Sequence, residues 1–453
     1  MAEGGATATG LLDTVLSTIL GSRRERASAG VSDAAEIERD CLALLELGPD
    51  GGKRAARRVL DAYGTLDERD RGAYFRFLAH DLDIDPIRVR ELADGYRREP
   101  TAERLAPLLA AAEPKRQELL RRLNTVAGAT AELVRMRAQL LETVRSSPDE
   151  AADLERADLD FRHLFQSWFN RGFLQLQRIS WDSPASVLAK IIAYEAVHEI
   201  NGWGDLRSRL QPADRRCYAF FHPAMPGEPL VFTEVALVRG APSNVQRVLD
   251  EGREAIAAEE ADTAVFYSIS NCQKGLAGVS FGNLLIKQVV ADLARELPNL
   301  SSFLTLSPLP GFARWLEKQE GTEGLIEARD AALAEARTAE RAEILRPHAE
   351  RLTAMAAYYL ARAKRSGGAP LDPVARFHLA NGAAIQAVHA GADDSANGLR
   401  QSAGVMVNYL YDLGRVEHRQ ESYAAERTVS FSKPVRAQIT AAGRPKSLKE
   451  TPA

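Results

Sequence analysis

The chain has 453 residues, enough for two or three domains that each bury a core. An apolar fraction of 45% and a charged fraction of 26% are those of a globular protein, and a net charge of -4 argues against a general nucleic-acid binder. No apolar run approaches the ~20 residues that a membrane-spanning helix needs.

The N-terminal segment and the cysteines indicate a protein of the cytoplasm. Residues 1–30 are rich in Ala, Gly, Thr and Arg, which predicts a mobile segment, and they lack the basic start of a secretory signal. The three cysteines, Cys41, Cys217 and Cys272, are far apart and form no metal-binding pattern. A sparse, odd set of cysteines is typical of a reducing compartment.

Residues 31–175 carry helical patterns and no strand signal. Apolar residues from Ile37 onward repeat at helical spacing. Thr65 and Glu68 have the spacing of a capping box, and Pro86 suits the first turn of a later helix. We predict an all-helical domain that serves packing and oligomerisation rather than catalysis.

A second domain is predicted to begin near residue 176. Ser183 is placed to cap its first helix, and Pro184 suits the first position of that helix. His198 and the neighbouring Glu195 lack the HExxH spacing of a zinc site, and one histidine is a poor ligand set. We therefore interpret these two residues as structural hydrogen-bonding groups.

Strand signals begin after residue 215. Apolar runs at 217–221 and 230–238 are separated by a segment that contains three prolines, which predicts a β-hairpin with a longer loop. A helix is predicted to follow over about 243–259.

The segment 264–316 has the pattern of a β-α-β unit. A strand at 264–269 is followed by a loop with Gly275, Gly278 and Gly282, then by a helical pattern and a second apolar run at 303–306. Glycines between a strand and a helix let the backbone approach a ligand, and a helix N-terminus favours anions. The spacing is neither the dinucleotide fingerprint nor a P-loop, so a phosphate site and a plain turn both remain open.

The C-terminal third contains further helical patterns. Residues 322–365 read as a helical excursion, and a helix from Pro373 carries His378 and ends near Asn381. The last strong apolar run spans 402–411. The polar residues 427–453 predict a mobile tail.

A set of short motifs then appears in one order between residues 180 and 415. The motifs are YEAVHEI at 194–200, FHP at 221–223 with EPL at 228–230, FYSIS at 266–270, GLAG at 275–278, LSPLPGF at 306–312, ARFHLANGA at 375–383 and GVMVNY at 404–409. In these motifs the chain resembles the malonyl-CoA decarboxylase family. The helical half is similar more loosely, and the ordered set is specific where one motif alone would be weak.

The resemblance implies an α+β fold class with two domains. An all-helical oligomerisation domain over 31–175 would precede a GNAT-like mixed α/β catalytic domain over 176–426, which includes the excursion 322–365. The family's quaternary structure implies a homotetramer. The C-terminus lacks a peroxisomal address, which implies the cytoplasmic, bacterial branch.

The resemblance also implies the site residues. The family's catalytic serine and histidine match Ser307 and His378. The malonyl-CoA-binding loop of the family matches Ala277, Gly278, Val279, Ser280, Phe281, Gly282 and Asn283. Ser280 stands where some relatives carry an acid, so we assign no acid–base role to it.

Residues of these types suit the implied reaction of malonyl-CoA to acetyl-CoA and CO2. Loss of CO2 leaves a carbanion that is delocalised into the thioester as an enolate, and an acid must then protonate the α-carbon. We expect His378 to donate this proton and Ser307 to orient the malonyl group. The thioester accepts the electron pair, so we expect no metal or organic cofactor. Tyr267, Asn381 and Tyr409 are the expected lining residues.

Other interpretations are open from the sequence alone. Ser307 before a proline also suits a turn, and His378 between apolar residues also suits a core position. Cys272 lies in the glycine loop but has no histidine near it in sequence to activate it as a nucleophile. The competing functions are a GNAT-like, CoA-dependent N-acyltransferase that uses the same loop and a non-enzymatic helical scaffold.

Overall fold

The structure is a computed structural model that describes residues 33–48, 52–279 and 282–442. The predicted mobile segment 1–30 and the loop residues Ser280 and Phe281 lie outside these ranges. The described residues form two compact units. The first contains residues up to 170 together with 273–279, and the second contains 171–272 and the residues from 282 onward.

The described part of the first unit is helical. Its α-helices are α1 Ala34–Glu46, α2 Lys53–Tyr63, α3 Glu68–His80, α4 Pro86–Arg98, α5 Ala102–Ala111, α6 Lys115–Leu123, α7 Ala129–Ser146 and α8 Ala151–Trp168. Aromatic side chains fill much of its core, where the Tyr63 and Tyr74 rings lie 5.3 Å apart and the Phe161 and Phe165 rings 5.8 Å apart. Helices α4 and α5 contribute no buried residue.

The predicted helix caps are shifted by one or two residues. Asp67 rather than Thr65 caps α3, because its carboxylate accepts the Asp70 N–H at 2.8 Å. The Thr65 hydroxyl instead donates to the Ala62 carbonyl at 2.8 Å. Ser183, predicted as the cap of the helix after residue 180, accepts the Ser180 N–H at 3.1 Å in a turn, and Pro184 is the cap position. Short polar side chains satisfy turns as readily as helix ends, which explains the shifts.

The second unit is built on a mixed sheet. Its described strands are β1 Gln175–Ile179, β2 Arg215–Phe221, β3 Val231–Val238, β4 Thr263–Asn271, β5 Ser302–Thr305, β6 Ser307–Pro308, β7 Ala384–His389 and β8 Met406–Leu410. The strand order is β1-β2-β3-β4-β5-β8-β6, and β7 pairs with β8. The predicted hairpin is the antiparallel pair β2–β3, in which Phe220 lies opposite Val231.

In the sequence of the second unit, helices lie between the strands and after the last strand. They are α9 Ala185–Tyr194, α10 Trp203–Leu210, α11 Val245–Leu249, α12 Gly282–Glu296, α13 Phe312–Leu316, α14 Glu323–Ala334, α15 Thr338–Leu345, α16 Ala349–Arg362, α17 Pro373–Ala380, α18 Ala396–Ser402, α19 Val416–Glu426 and α20 Lys433–Ala441. The helical region followed by a mixed sheet domain confirms the predicted α+β fold class.

The β-α-β unit positions the rest of the site. Strand β4 leads through the glycine loop into α12 and then into β5, which pairs with β4 in parallel. The other strand pairs in the described sheet are antiparallel. The parallel register runs from Thr263 opposite Ser302 to Phe266 opposite Thr305 and ends there. Beyond that point the chain of β5 passes into β6, which pairs with β8 instead.

Two sequence predictions in this unit were wrong, and one apolar run has a mixed structure. The helix predicted over 243–259 is only α11, because the Asp250 carboxylate accepts the Gly252 N–H at 2.9 Å and turns the chain. The apolar run 402–411 is divided between the end of α18 and β8. The tail predicted to be mobile from residue 427 contains α20, whose Val435 is fully buried.

Strands β1 and β7 were not predicted from the sequence. Most residues of β1 are exposed or half-buried, so it carries little of the apolar signal that marks an inner strand. No helix in the described ranges is long and apolar enough to cross a membrane.

Candidate functional site

Ser307 lies where the parallel strand pair ends. It is the first residue of β6, and its backbone pairs with Val407 of β8. The preceding residue, Leu306, still donates its N–H to the Phe266 carbonyl of β4 at 3.0 Å. Ser307 is therefore fixed by two neighbours in the sheet, and it is buried.

His378 is held on the short helix α17. The Asp372 carboxylate accepts the Ala375 N–H at 2.8 Å, and Pro373 occupies the first turn, so both start signals of the sequence act here. The helix ends at Ala380 with Asn381 as its C-terminal cap, and Gly382 follows with φ of +81°. Ala375, His378 and Leu379 form its buried face.

These two elements bring Ser307 and His378 together across 71 residues of sequence. The Ser307 Oγ lies 3.1 Å from the His378 Nε2. The His378 Nδ1 lies 2.8 Å from the Tyr411 hydroxyl. Both imidazole nitrogens thus have a hydroxyl partner, and the ring orientation is fixed.

Three further contacts complete the cluster. The Ser307 hydroxyl donates to the Thr305 Oγ1 at 2.9 Å, and the Tyr409 N–H donates to the same oxygen at 3.3 Å. The Tyr409 ring stacks on the His378 ring, with centroids 4.4 Å apart and an interplanar angle of 24°. Because the Ser307 hydroxyl proton is used in the hydrogen bond to Thr305, the Ser307 Oγ accepts from His378. The Nε2 atom therefore carries the imidazole proton, and Nδ1 accepts from the Tyr411 hydroxyl.

Sequence reasoning missed Thr305 and Tyr411. Each lies two residues from a residue that was singled out, Thr305 before Ser307 and Tyr411 after Tyr409. Alternate residues of an extended chain point to the same side. This spacing is the signal that indicates both residues once Ser307 and Tyr409 are chosen.

Burial controls the protonation of the cluster. It lowers the pKa of His378 to about 3, so the imidazole is neutral at neutral pH. It raises the pKa of Tyr409 and Tyr411 well above the usual tyrosine range, and both stay protonated. Burial also raises the pKa of Asp372, at the start of the histidine helix, to about 6. A positively charged histidine is therefore disfavoured unless a negative group comes beside it.

The other expected lining residues have separate surroundings. Asn381 is buried and its side-chain amide donates to the Phe377 carbonyl at 2.7 Å, one turn back on α17. Its Oδ1 atom has no hydrogen-bond partner among the described residues. Tyr267 packs in an apolar cluster with Leu306 and Met406, and its hydroxyl also lacks a partner within those residues. The structure places Tyr409 directly on His378 and does not record a contact of Tyr267 with it.

The predicted malonyl-CoA-binding loop is partly helical. Gly282 and Asn283 begin α12, and residues 274–276 form a 3-10 turn. The Ala277 N–H donates to the Lys274 carbonyl at 3.1 Å and the Val279 N–H to the Leu276 carbonyl at 3.0 Å. These two N–H groups are occupied. The first turn of α12 has N–H groups that lack intrahelical acceptors, and such groups suit an anion.

Glu195 has the structural role expected of it. Its carboxylate accepts the Ser268 hydroxyl at 2.7 Å, the Val197 N–H at 2.8 Å and the His198 N–H at 2.9 Å. These bonds tie the segment after α9 to β4. Within the described residues, no group of three or more His, Cys, Asp or Glu side chains is arranged to hold a metal ion.

The three cysteines are buried and unreactive in this state. Cys41, Cys217 and Cys272 are free thiols. Burial raises the pKa of Cys41 to about 12 and raises the pKa of the other two still further above the usual range. A thiol is nucleophilic only as a thiolate, so this environment argues against Cys272 as a nucleophile.

The chain is similar to known proteins along most of its length. The malonyl-CoA decarboxylase C-terminal domain family matches residues 172–449, and the N-terminal domain family matches residues 82–169. The mitochondrial malonyl-CoA decarboxylase of Anser anser anser is 33% identical over 425 residues, which cover 86% of this chain and 84% of that protein.

Solved structures of malonyl-CoA decarboxylases are also similar to this chain. The crystal structure of malonyl-CoA decarboxylase from Rhodopseudomonas palustris is 46% identical with a TM-score of 0.81, and covers 89% of this chain and 99% of its own. The one from Agrobacterium vitis is 45% identical with a TM-score of 0.82, and covers 90% of this chain and 100% of its own. With both family domains matched in order and relatives of this identity along most of its length, the chain belongs to the malonyl-CoA decarboxylase family.

Proposed function

We infer that this protein is a carboxy-lyase that converts malonyl-CoA to acetyl-CoA and CO2. The observation that carries the inference is the buried hydrogen-bonded pair of Ser307 and His378, at the end of the parallel strands, in a chain of this family. An N-acyltransferase would need a group that takes a proton from an amine. The lone pair of the neutral His378 imidazole is at Nδ1, where it already accepts from the Tyr411 hydroxyl, so no free base faces Ser307.

The reaction consumes one proton per turnover. The bond between the α-carbon and the carboxylate carbon breaks, CO2 leaves, and the electron pair stays on the α-carbon and spreads onto the thioester oxygen. A proton then bonds to the α-carbon and gives the methyl group of acetyl-CoA. The thioester is the electron sink, so the mechanism needs neither a metal nor an organic cofactor.

His378 is the proposed proton donor. Its Nε2 is the imidazole nitrogen that faces Ser307, and Tyr411 on Nδ1 keeps the proton on Nε2. The imidazole is neutral in the empty site because burial lowers its pKa to about 3. A malonyl carboxylate placed beside Nε2 would raise that pKa, so the proton enters together with the negatively charged substrate.

Ser307 is the proposed orienting group. Its hydroxyl donates to Thr305 and accepts from His378, so its position is fixed. A malonyl carboxylate bound there would accept the Ser307 proton when the hydroxyl turns from Thr305 to the substrate. Such a contact is useful only if it holds the carboxylate for departure without stabilising it strongly, because tight ground-state binding does not raise kcat. A neutral hydroxyl meets that condition better than an arginine. Asn381 and Tyr409 are proposed to line the same pocket, with Tyr267 at its edge.

The CoA part is proposed to bind at the glycine loop. The segment from Ala277 to Asn283 ends in the N-terminus of α12, a 15-residue helix whose first N–H groups suit a pyrophosphate. The remote phosphates would contribute binding energy that is used to place the thioester near Ser307.

The protein is proposed to work as a homotetramer in the cytoplasm, with malonyl-CoA and acetyl-CoA as its ligands and no nucleic-acid or membrane partner. Support for an assembly comes from α4 and α5, which have no buried residue. Their large apolar side chains include Ile87, which is 68% exposed, and Leu109, which is 61% exposed. Large exposed apolar side chains on neighbouring helices are typical of subunit interfaces.

The test is product formation from malonyl-CoA in D2O with EDTA present. The purified protein should release CO2 and acetyl-CoA that carries one deuterium in its methyl group, because solvent supplies the proton that quenches the enolate. Acyl transfer to an added amine without release of CO2 would overturn the proposal, as would CoA binding without either reaction.

A further inference from the structure

The segment 273–279 lies between β4 and α12 in the sequence but belongs to the first compact unit. It packs on α7, the long helix Ala129–Ser146. Within that unit one side chain, Arg137, reaches the backbone of the segment at two points. The helical unit therefore includes the first half of the proposed malonyl-CoA-binding loop.

The contacts of Arg137 are specific. Its Nη1 donates to the Gly275 carbonyl at 2.8 Å and to the Ala277 carbonyl at 2.8 Å. Its Nε and Nη2 donate to the two oxygens of Asp158 on α8, at 2.7 Å and 3.2 Å. The guanidinium lies 6.0 Å from the centre of the Phe165 ring, and the Arg137 side chain is only 2% exposed.

The fixed fork of a guanidinium explains this choice of residue. Asp158 and Phe165 hold its plane, so both bonds to the loop are made without further ordering of the side chain. Charge-assisted bonds to carbonyls are stronger than neutral ones, and in a buried place each lost bond leaves an unsatisfied group. The loop carbonyls are therefore held in one position relative to α7.

The loop also fits against α7 without side chains between them. A Cβ atom added to Gly275 would lie 1.8 Å from the Val134 carbonyl oxygen, which is backbone and is fixed in the helix. Only glycine allows this approach. Gly275 thus makes the close contact through its Cα and accepts one of the two Arg137 hydrogen bonds through its carbonyl.

We propose that Arg137 is a positioning residue for the CoA-binding loop, and that the helical unit has a part in substrate binding beyond oligomerisation. The inference rests on the proposed function, because it takes the segment from Ala277 to Asn283 as the place where CoA binds. Arg137 itself lies behind the loop and touches no substrate. Its effect is to fix the backbone of the loop between Gly275 and Ala277.

Arg116 provides a matched control within the same unit. It is also buried, with Nη2 2.9 Å from Asp83 and Nη1 3.2 Å and 3.3 Å from the Leu78 and Ala79 carbonyls. It also pairs with Asp160, so it has buried carboxylate partners and two carbonyl contacts, and none of these partners lies in the segment 273–279. Arg137→Gln and Arg116→Gln both remove a buried guanidinium. Only Arg137→Gln also removes the hydrogen bonds to the Gly275 and Ala277 carbonyls.

The experiment measures steady-state kinetics and amide hydrogen exchange on the full-length variants, at a temperature where each is folded. Arg137→Gln should raise the KM for malonyl-CoA about tenfold or more with a much smaller change in kcat, the signature of lost substrate binding. Exchange of peptides that cover 273–279 should be roughly tenfold faster than in wild type, since this segment opens more readily. Arg116→Gln should change neither quantity beyond the effect of lower stability.

Gly275→Ala approaches the same contact from the loop and keeps Arg137 intact. It should reproduce the higher KM, whereas Gly95→Ala, on a helix with no atom near the added Cβ, should not. A KM for Arg137→Gln equal to that of Arg116→Gln, with unchanged loop exchange, would overturn the inference. If wild type fails to decarboxylate malonyl-CoA, the proposed function falls, and the exchange data still decide whether Arg137 holds the loop.

Discussion

At the scale of single residues, the site depends on groups that hold an imidazole in one orientation. Tyr411 and Ser307 each bind one nitrogen of His378, and Tyr409 covers its face. The imidazole proton is thereby directed to Nε2, the nitrogen proposed to act as the acid. Tyr411 is therefore proposed to position His378, and an experiment can separate this role from a structural one.

Tyr411→Phe removes the hydroxyl and keeps the ring. Loss of one buried hydrogen bond is worth about 1 kcal/mol, so we expect kcat to fall by roughly fivefold to tenfold with KM nearly unchanged. A structural defect would instead lower the amount of active enzyme without changing the pH profile of kcat. Tyr218→Phe, at a buried tyrosine of β2, is the control and should keep the wild-type profile. An unchanged kcat in Tyr411→Phe would contradict the assigned tautomer.

Burial of neutral His378 also affects stability as a function of pH. The unfolded chain binds a proton at this residue below about pH 6.5. The folded chain resists it down to about pH 3. The unfolded state holds more protons in this window, so stability falls as the pH falls from 6.5 towards 3, by up to about tenfold in the folding equilibrium per pH unit.

Urea unfolding of wild type and His378→Gln at pH 7, 6 and 5 tests this. Other groups titrate in both proteins, so the quantity of interest is the difference between the two free energies of unfolding. As the pH is lowered, we expect the free energy of unfolding to fall less in the variant than in the wild type. Parallel curves for the two proteins would show that His378 is protonated in the folded state.

At the scale of elements, the turn after α17 keeps the histidine helix in place. Gly382 has φ of +81°, and an added Cβ would lie 2.0 Å from the Val416 carbonyl oxygen at the start of α19. Gly382→Ala should lower the free energy of unfolding by roughly 2–4 kcal/mol, from the strained backbone and the forced separation of the two helices.

Gly391→Ala is the matched control for this prediction. Gly391 also has a positive φ of +61°, but no atom lies within 4 Å of the added Cβ. Only the backbone strain remains, so we expect a loss of about 1 kcal/mol. Urea denaturation compares the two variants, and equal losses would mean that contact with α19 is unimportant.

The elements show what sequence can predict. The β2–β3 hairpin and the β-α-β unit were predictable because inner strands are continuous apolar runs between loops rich in glycine or proline. Strand β1 was not, because its side chains are mainly exposed. The short α11 was not, because an aspartate side chain turned the chain where periodicity predicted more helix.

The site was predictable only in part for a related reason. Periodicity reports local structure, whereas Ser307 and His378 meet across 71 residues through the sheet and α17. Family resemblance supplied that pair. The contact of Arg137 with the loop spans 138 residues and has no local signal at all, since a lone arginine in a helix is usually solvated.

At the scale of the whole molecule, the exposed apolar residues of α4 and α5 are the proposed subunit interface. Leu109→Glu places a charge on the proposed interface and should reduce the mass measured by light scattering below that of four chains. Burying an unpaired carboxylate costs several kcal/mol, which is enough to disrupt one interface. Arg145→Glu, at an exposed position of α7, should leave the assembly intact. A tetramer in both variants would place the interface elsewhere.

The central claim is that Ser307 and His378 act as one unit in decarboxylation. The most direct test is kcat/KM for malonyl-CoA in wild type, Ser307→Ala, His378→Gln and the double variant. We predict that each single change lowers kcat/KM by about 100-fold or more, as for a lost general acid. The double variant should be hardly worse than the weaker single one, because groups that act together are not additive. Near wild-type activity in either single variant, or losses that multiply in the double one, would contradict the account.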